Sequence, residues 1–432
     1  MKRRWTPLPV ILAVAAAYAA VTITNVTMWG VGAANPPLAK IAGRDRGDPA
    51  YNVKRASAYW SSENGLNVTY VEVIVPRCHR TVFDPILNVS TPAPIPVKLY
   101  AESVTGAYSS QLSATIALSG STQVIVTSGS ITQASGNPVT VDGQASFKLE
   151  VLVGSGAPLG VEVARLNTWL YFNYSSAKVR QKIVWVFKTW PQPPRVTLFY
   201  DGFESGSLQG WTRTTYTYVE QKNYYVTVTE YCYLPYRPPT PNPITDTTRP
   251  VGGSWLAWIG FREQVRCEPR PALDDYLRRT VSVPSMLDGV EVKYVNVTFW
   301  WRMLTWDSAI YDYINLSLAK GSNTYYWKQR YNPNPGYSYG PFRDTGWQRN
   351  STLFSGVSGS SVTITFLLHT YSDEYYRSWL YIDEVHFEVV FDCVSQSVDP
   401  ALSVAPLSAP HDLTQPLSVD EGRGAPDAGR SG

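Results

Sequence analysis

Groups able to do chemistry are sparse in this chain. Four histidines, His79, His369, His386 and His411, stand far apart in 432 residues. No H-E-x-x-H, G-x-S-x-G or phosphate-cradling loop occurs. Hydrolysis of a glycoside needs only two carboxylates at a suitable separation, and Asp307, Asp312, Asp373 and Glu374 are the acids that could serve. Sequence does not give that separation, and solvated surface charge is the commoner use of such residues, so the reading is non-catalytic. The four cysteines, Cys78, Cys232, Cys267 and Cys393, are even in number with no C-x-x-C pair. That spacing speaks against zinc and for disulfides, of which four cysteines allow three connectivities. Cys232–Cys267 within one domain and Cys78–Cys393 between domains is the preferred set, with free buried thiols as the alternative.

The elements that hold these residues are set by composition. Lys+Arg total 37 and Asp+Glu 34, a formal charge of +3, and charged residues are 16% of the chain. So small a surplus excludes the polyelectrolyte logic of nucleic-acid binding. Aromatics at 13%, with 29 Tyr and 15 Trp, exclude wholesale disorder. Lys2, Arg3 and Arg4 precede an apolar run over residues 8–20 that ends in Ala17-Tyr18-Ala19. This is the layout of a secretory signal peptide. A retained N-terminal anchor is the second reading of residues 1–20, and would be the chain's sole tie to a membrane; a buried core helix is the third. Either of the first two exports the rest, to the cell surface or beyond. Asn-x-Ser/Thr sequons at Asn67, Asn88, Asn173, Asn296, Asn315 and Asn350 agree with export as a group.

Residues 21–50 lack periodicity and read as an extended arm. From residue 51 the pattern is β, with short β-branched runs at 68–75, 97–101, 115–118, 124–126, 147–153, 161–170 and 183–187 between Gly, Ser, Asn and Pro clusters. No dozen residues carry a capped 3.6-residue period. The expected fold is therefore all-β: an antiparallel β-sandwich over 51–190, a Pro-rich linker at 191–197, a second sandwich over 198–393 and a disordered tail over 394–432. The second sandwich holds 9 of the 15 Trp and 21 of the 29 Tyr.

That second region opens on Tyr200-Asp201-Gly202-Phe203-Glu204-Ser205-Gly206 and Gly210-Trp211, and closes on Trp379-Leu380-Tyr381-Ile382-Asp383-Glu384-Val385. Between these lie Phe299-Trp300-Trp301-Arg302, Tyr311-Asp312-Tyr313 and Gly346-Trp347. The succession resembles the galactose-binding-like jelly rolls, which include carbohydrate-binding modules and MAM-type adhesive modules. The resemblance implies a jelly-roll sandwich with its first and last strands side by side. It also implies a structural Ca²⁺ near Glu204 and Asp383, with Asp201 beside them, since hard cations collect carboxylate and carbonyl oxygens. Glu384 stands where such families often carry Asp; the alternative is that these acids are ordinary turn and edge residues.

Carbohydrate recognition uses aromatic faces, on which sugar C–H faces stack. Trp306, Trp327, Tyr337 and Tyr339 lie in or beside Pro/Gly/Asn-containing stretches and are the stacking candidates; the alternative use of each ring is packing. In the first region, the turn Val141-Asp142-Gly143-Gln144 with the runs at 147–153 and 160–170 faintly resembles secreted β-sandwich filament subunits. In those, an extended arm can complete a neighbour's sheet, and residues 21–50 are placed to be one; a solvated linker is the plainer use. The sequence thus reads as an exported binding or adhesion protein whose jelly roll takes carbohydrate or another surface ligand. Self-association as a structural subunit of an envelope layer or filament is the alternative, and a secreted glycan-active hydrolase the third reading.

Overall fold

The computed structural model describes residues 38–63, 66–174, 177–221, 226–228, 244–246, 248–260, 273–305, 307–334, 342–371 and 378–393. Among these the architecture is all-β, with one short 3-10 turn at Ser109–Gln111. No helix there is long and apolar enough to cross a membrane.

The first half supplies β1 (Ala39–Ala42), β2 (Arg55–Glu63), β3 (Leu66–Val75), β4 (Thr81–Thr105), β5 (Leu112–Leu118), β6 (Ser121–Thr127), β7 (Ser130–Gln133), β8 (Val139–Val153), β9 (Glu162–Tyr174) and β10 (Ala177–Thr189). They run β2-β3-β10-β9-β4-β8-β5-β6-β7 in one twelve-stranded sheet, with β1 and two short strands from later in the chain attached. Period-two patterning makes these strands: in β5, Leu112, Ala114, Ile116 and Leu118 are buried while Ser113, Thr115 and Ala117 are half-buried. β4 links the two halves of the strand order. Its first part, Thr81 to Val97, pairs with β8, and its last part, Val97 to Thr105, pairs with β9. Pro85 falls in the register shift between Phe83 and Leu87, and Pro92 and Pro94 in the shift between Thr91 and Ile95. Bulges are where a strand tolerates proline. The enclosed core includes Phe83, Val89, Phe147, Leu149, Trp185 and Phe187. The expected antiparallel order has an exception: β3 and β10 are parallel, Val68 facing Lys182 through Val75 facing Thr189. They are distant in sequence, so no hairpin dictates their sense.

The second half forms two sheets over one core. A five-stranded sheet has the order Thr212–Arg213, Leu273–Val283, Ser360–Thr370, Tyr313–Lys320, Asn323–Tyr331. A seven-stranded sheet centres on Trp255–Gly260, Ser378–Val390 and Tyr294–Thr305. Its member β11 (Arg195–Asp201) pairs antiparallel with Ser378–Val390, from Arg195 opposite Val390 to Asp201 opposite Val385. So the segment expected as a linker already contains strand from Arg195 onward. Phe299, Trp301, Phe366, Phe387 and Leu380 fill the space between the sheets. A second cluster, Leu256, Trp258, Leu304, Trp379 and Tyr381, is buried apart from that core. Much of the aromatic richness is therefore packing.

The halves are joined covalently. Cys78 and Cys393 form a disulfide across 315 residues, as the preferred pairing anticipated. Around it, Arg77 meets Asp392 at 3.0 Å, Lys293 Nζ donates to the Cys78 carbonyl at 2.6 Å, and Val290 pairs with Thr81 of β4. The buried His79 ring sits between the Glu291 and Asp392 carbonyl oxygens, at 2.8 and 3.2 Å.

Candidate functional site

Two of the acids that bracket the second region, Glu204 and Asp383, meet on the backbone of one loop. A bulge in Ser378–Val390 shifts the register between Thr298 and Trp300, and Glu384 there takes φ +51°. The bulge turns Asp383 and Glu384 toward the loop from Val251 to Trp255. Asp383, wholly buried, accepts from Val251 N at 2.7 Å, Gly252 N at 3.2 Å and Glu384 N at 2.8 Å. Burial pushes its carboxyl up to about 7, with the neighbouring Glu384 charge acting the same way and the three donors opposing. Glu204 accepts from Ser254 N and Trp255 N, both at 2.9 Å. Asp201 accepts from Phe203 N and Trp211 Nε1, both at 2.8 Å. Gly252 and Gly253 allow the approach: a Cβ at either would lie 2.1–2.2 Å from the Glu384 or Glu204 carboxylate. Backbone donors occupy both oxygens of Asp383 and one oxygen of Glu204, and no group of three His, Cys, Asp or Glu among the described residues could hold a metal. As placed, Asp383 and Glu204 clamp the loop over 251–255, while Asp201 holds Phe203 and Trp211.

Of the expected stacking residues, Trp306, Tyr337 and Tyr339 lie outside the described residues, as do Cys232 and Cys267. Trp327 is packed: its Nε1 donates to Thr352 Oγ1 at 2.8 Å, and its ring lies edge-on to Phe299, Tyr325 and Phe354. Asp307 and Asp312 are both buried, while Asp373 and Glu374 lie outside the described residues. Of the sequons, Asn173 is exposed; Asn296, Asn315 and Asn350 are half-buried. Asn315 accepts from Arg330 N and Asn350 from Trp301 Nε1. Asn88 is 7% exposed and accepts from Ser146 Oγ, so a glycan there would displace packed structure. The Asn67 side chain is outside the described set.

Two features that motif reading passes over stand out instead. The first is the outer face of β2-β3-β10-β9. Register places Tyr59 opposite Tyr70, and Trp169 opposite Tyr100, all on that face. Tyr59 stacks on Tyr70 with centroids 5.2 Å apart and planes 9° off parallel. They border a pocket of about 290 Å³ whose polar wall includes Glu72 and Lys188, paired at 2.7 Å, and Arg165, held by Glu162 at 2.7 and 3.0 Å. Farther along, Arg180 lies over the Trp169 ring at 4.5 Å, beside exposed Tyr171 and Tyr100. The signal was in the sequence: in Arg165-Leu166-Asn167-Thr168-Trp169-Leu170-Tyr171 every second residue is a polar or aromatic group alternating with core positions.

The second feature is an edge. β2 pairs with β3 over nine residues in unbroken register, and among the described residues no strand pairs its other side. Ala56 N donates away from β3, to the Arg46 carbonyl at 3.1 Å. The alternation of an antiparallel ladder then points the Ala58, Trp60 and Ser62 N–H groups outward as well. Between Arg55 and Glu63 the strand has no charge and no proline, the usual protections of an edge. Tyr59 and Trp60 are 44% and 56% exposed. Part of β4, in the middle of the strand order, is covered instead: β1 pairs the side of β4 at 87–90 that β8 leaves open. The arm expected at 21–50 is therefore strand at 39–42, with buried Leu38 and Lys40 turned into the core.

No family model matches the chain, and no curated protein matches it. Solved structures with local likeness include the CooA pilin subunit of enterotoxigenic Escherichia coli, at 12% identity and a TM-score of 0.19 over 31% of this chain and 99% of that one. A chaperone–tip adhesin complex of CFA/I fimbriae aligns over 83% of this chain and 91% of that one, at 9% identity and a TM-score of 0.16. Tripeptidyl peptidase 2 aligns over 78% of this chain and 20% of its own, at 10% identity and a TM-score of 0.14. Likeness at these scores carries no argument about this chain.

Proposed function

We propose that this is an exported, non-catalytic cell-surface subunit that assembles with copies of itself by strand addition at β2. The observation that carries the reading is the open edge itself: three outward N–H groups on a strand with no charge between Arg55 and Glu63 and with two exposed aromatics at its centre. Main-chain pairing supplies affinity in such contacts, and alternate side chains supply register. Export is supported by the Cys78–Cys393 disulfide, a bond characteristic of oxidising compartments. The occupant is a strand from a second copy. Val21-Thr22-Ile23-Thr24-Asn25-Val26 is β-rich and uncharged, so the arm is the segment whose composition fits. Heterologous addition of this kind propagates into filaments or layers, because each copy offers both a donor and an acceptor.

The test is sedimentation and electron microscopy of the purified chain beside Ala58→Pro, which removes one outward donor and no β2–β3 ladder bond. The wild type should associate as concentration rises, and the variant should stay monomeric with an unchanged circular dichroism spectrum. A wild type that is monomeric throughout, or a folded variant that assembles equally well, contradicts the reading. Ser62→Lys, which places a charge on the same edge, gives an independent check should proline perturb the fold.

A further inference from the structure

We propose that the outer face of β2-β3-β10-β9 is a binding site for a neutral saccharide, with one sugar ring seated against Tyr59. The pocket, about 290 Å³, lies at the small end of ligand sites, which run from roughly 300 Å³ upward. Its chemistry narrows the ligand. Tyr59 is held flat against Tyr70, and the Tyr70 hydroxyl is tied to Glu63, so the aromatic platform has a fixed plane. A preset platform loses little freedom on binding.

The polar wall is equally preset. Glu72 and Lys188 form one ion pair, and Glu162 and Arg165 form another with two parallel hydrogen bonds. The Arg165 guanidinium holds the Glu162 carboxyl below its ordinary range, so that pair stays ionised. Three acids, Glu63, Glu72 and Glu162, are balanced by Lys182, Lys188 and Arg165, which leaves no net field to draw an anion or a cation. What remains is spare hydrogen-bonding capacity of both signs, since each carboxylate can accept further bonds and the guanidinium and ammonium can donate further ones. A hydroxyl both donates and accepts, and a pyranose ring offers hydroxyls at its rim and C–H groups on its face. A phosphate or sulfate would need a surplus of donors, and an apolar peptide side chain would strand four charged groups. Past the pocket, Trp169, Tyr171 and Tyr100 continue the aromatic surface on the same face. That continuity fits a chain of sugars better than a single one.

The site is independent of assembly at the β2 edge: Tyr59 and Ser61 present side chains to the face, whereas pairing uses main chain. The probe is an immobilised panel of neutral oligosaccharides beside sulfated and uronic-acid oligosaccharides, read with the full chain and confirmed by calorimetry. Binding to at least one neutral glycan is expected. Its affinity should be unchanged within about twofold between 0.05 and 0.5 M NaCl, should fall at least tenfold in Tyr59→Ala, and should persist in non-assembling Ala58→Pro. Arg165→Met, on the wall and away from the β2 edge, should also weaken binding, with melting behaviour showing the fold retained. Absence of neutral-glycan binding, binding confined to anionic glycans and lost in salt, or equal affinity in folded Tyr59→Ala would each overturn the proposal. Loss of assembly with glycan binding intact would count against the assembly reading alone.

Discussion

Lys40 is the residue least at ease in this molecule. It lies on β1 opposite Val89, is 2% exposed, and its Nζ has no hydrogen-bond partner. Burial alone pushes its ammonium down to about 7 from an ordinary 10.5. Between those two pH values the unfolded chain binds a proton that the folded chain does not, so stability rises with pH across that window. Below about 7 the folded protein carries the whole cost of a buried charge, on the order of 5 kcal/mol. Lys40→Met should therefore raise the melting temperature by several degrees at pH 7 and flatten its rise between pH 7 and 9.5. Parallel melting curves for wild type and variant over that range would show that the amine is not buried as described. A strand seated at such a cost is a weak cover for β4, so Lys40→Met should also slow hydrogen exchange at 39–42.

At the scale of elements, what the sequence revealed follows from how each strand is patterned. Strands with one core face, such as β5, were legible because alternation and burial coincide. β4 was legible only in part: the run at 97–101 stood out, while Pro85, Pro92, Pro94 and Pro96 concealed the rest of a 25-residue strand. Its bulges absorb Pro85, Pro92 and Pro94, while Pro96 stays in register opposite Thr140, and bulges leave no mark in periodicity. β1 was hidden for the opposite reason, because Lys40 is a polar residue at a core position. Glu204 and Asp383 meet on the loop over 251–255 while Asp201 holds Phe203 and Trp211, and residue type does not tell an oxygen that takes a cation from one that takes an N–H. The aromatic face over β9 was missed because attention to loops favoured Trp306, Trp327, Tyr337 and Tyr339, and Trp327 proves to be packing. The clamp has its own consequence. Glu204→Ala leaves Ser254 N and Trp255 N without their acceptor, which, for hydrogen bonds exposed to water, should lower stability by about 0.5–1.5 kcal/mol. An unchanged denaturant midpoint would show that the loop does not depend on it.

For the molecule as a whole, the Cys78–Cys393 bond ties the first β region to the last of the described residues. Closing a loop this long is worth roughly 5 kcal/mol in the chain-entropy description. Cys78→Ser with Cys393→Ser should thus fold with the same circular dichroism and melt several degrees lower, and reduction of the wild type should match it. Equal melting temperatures would mean that Arg77, Lys293 and His79 hold the junction without the bond.

The assembly claim itself is tested most directly by hydrogen exchange of the amides in β2, followed from dilute to concentrated protein. In dilute solution Ala58, Trp60 and Ser62 should exchange freely while Ser57, Tyr59 and Ser61, bonded to β3, are protected. On concentration the first three should become protected in step with association seen by sedimentation. Protection of all six in the dilute monomer, or association that leaves Ala58, Trp60 and Ser62 exchanging freely, would contradict strand addition at this edge.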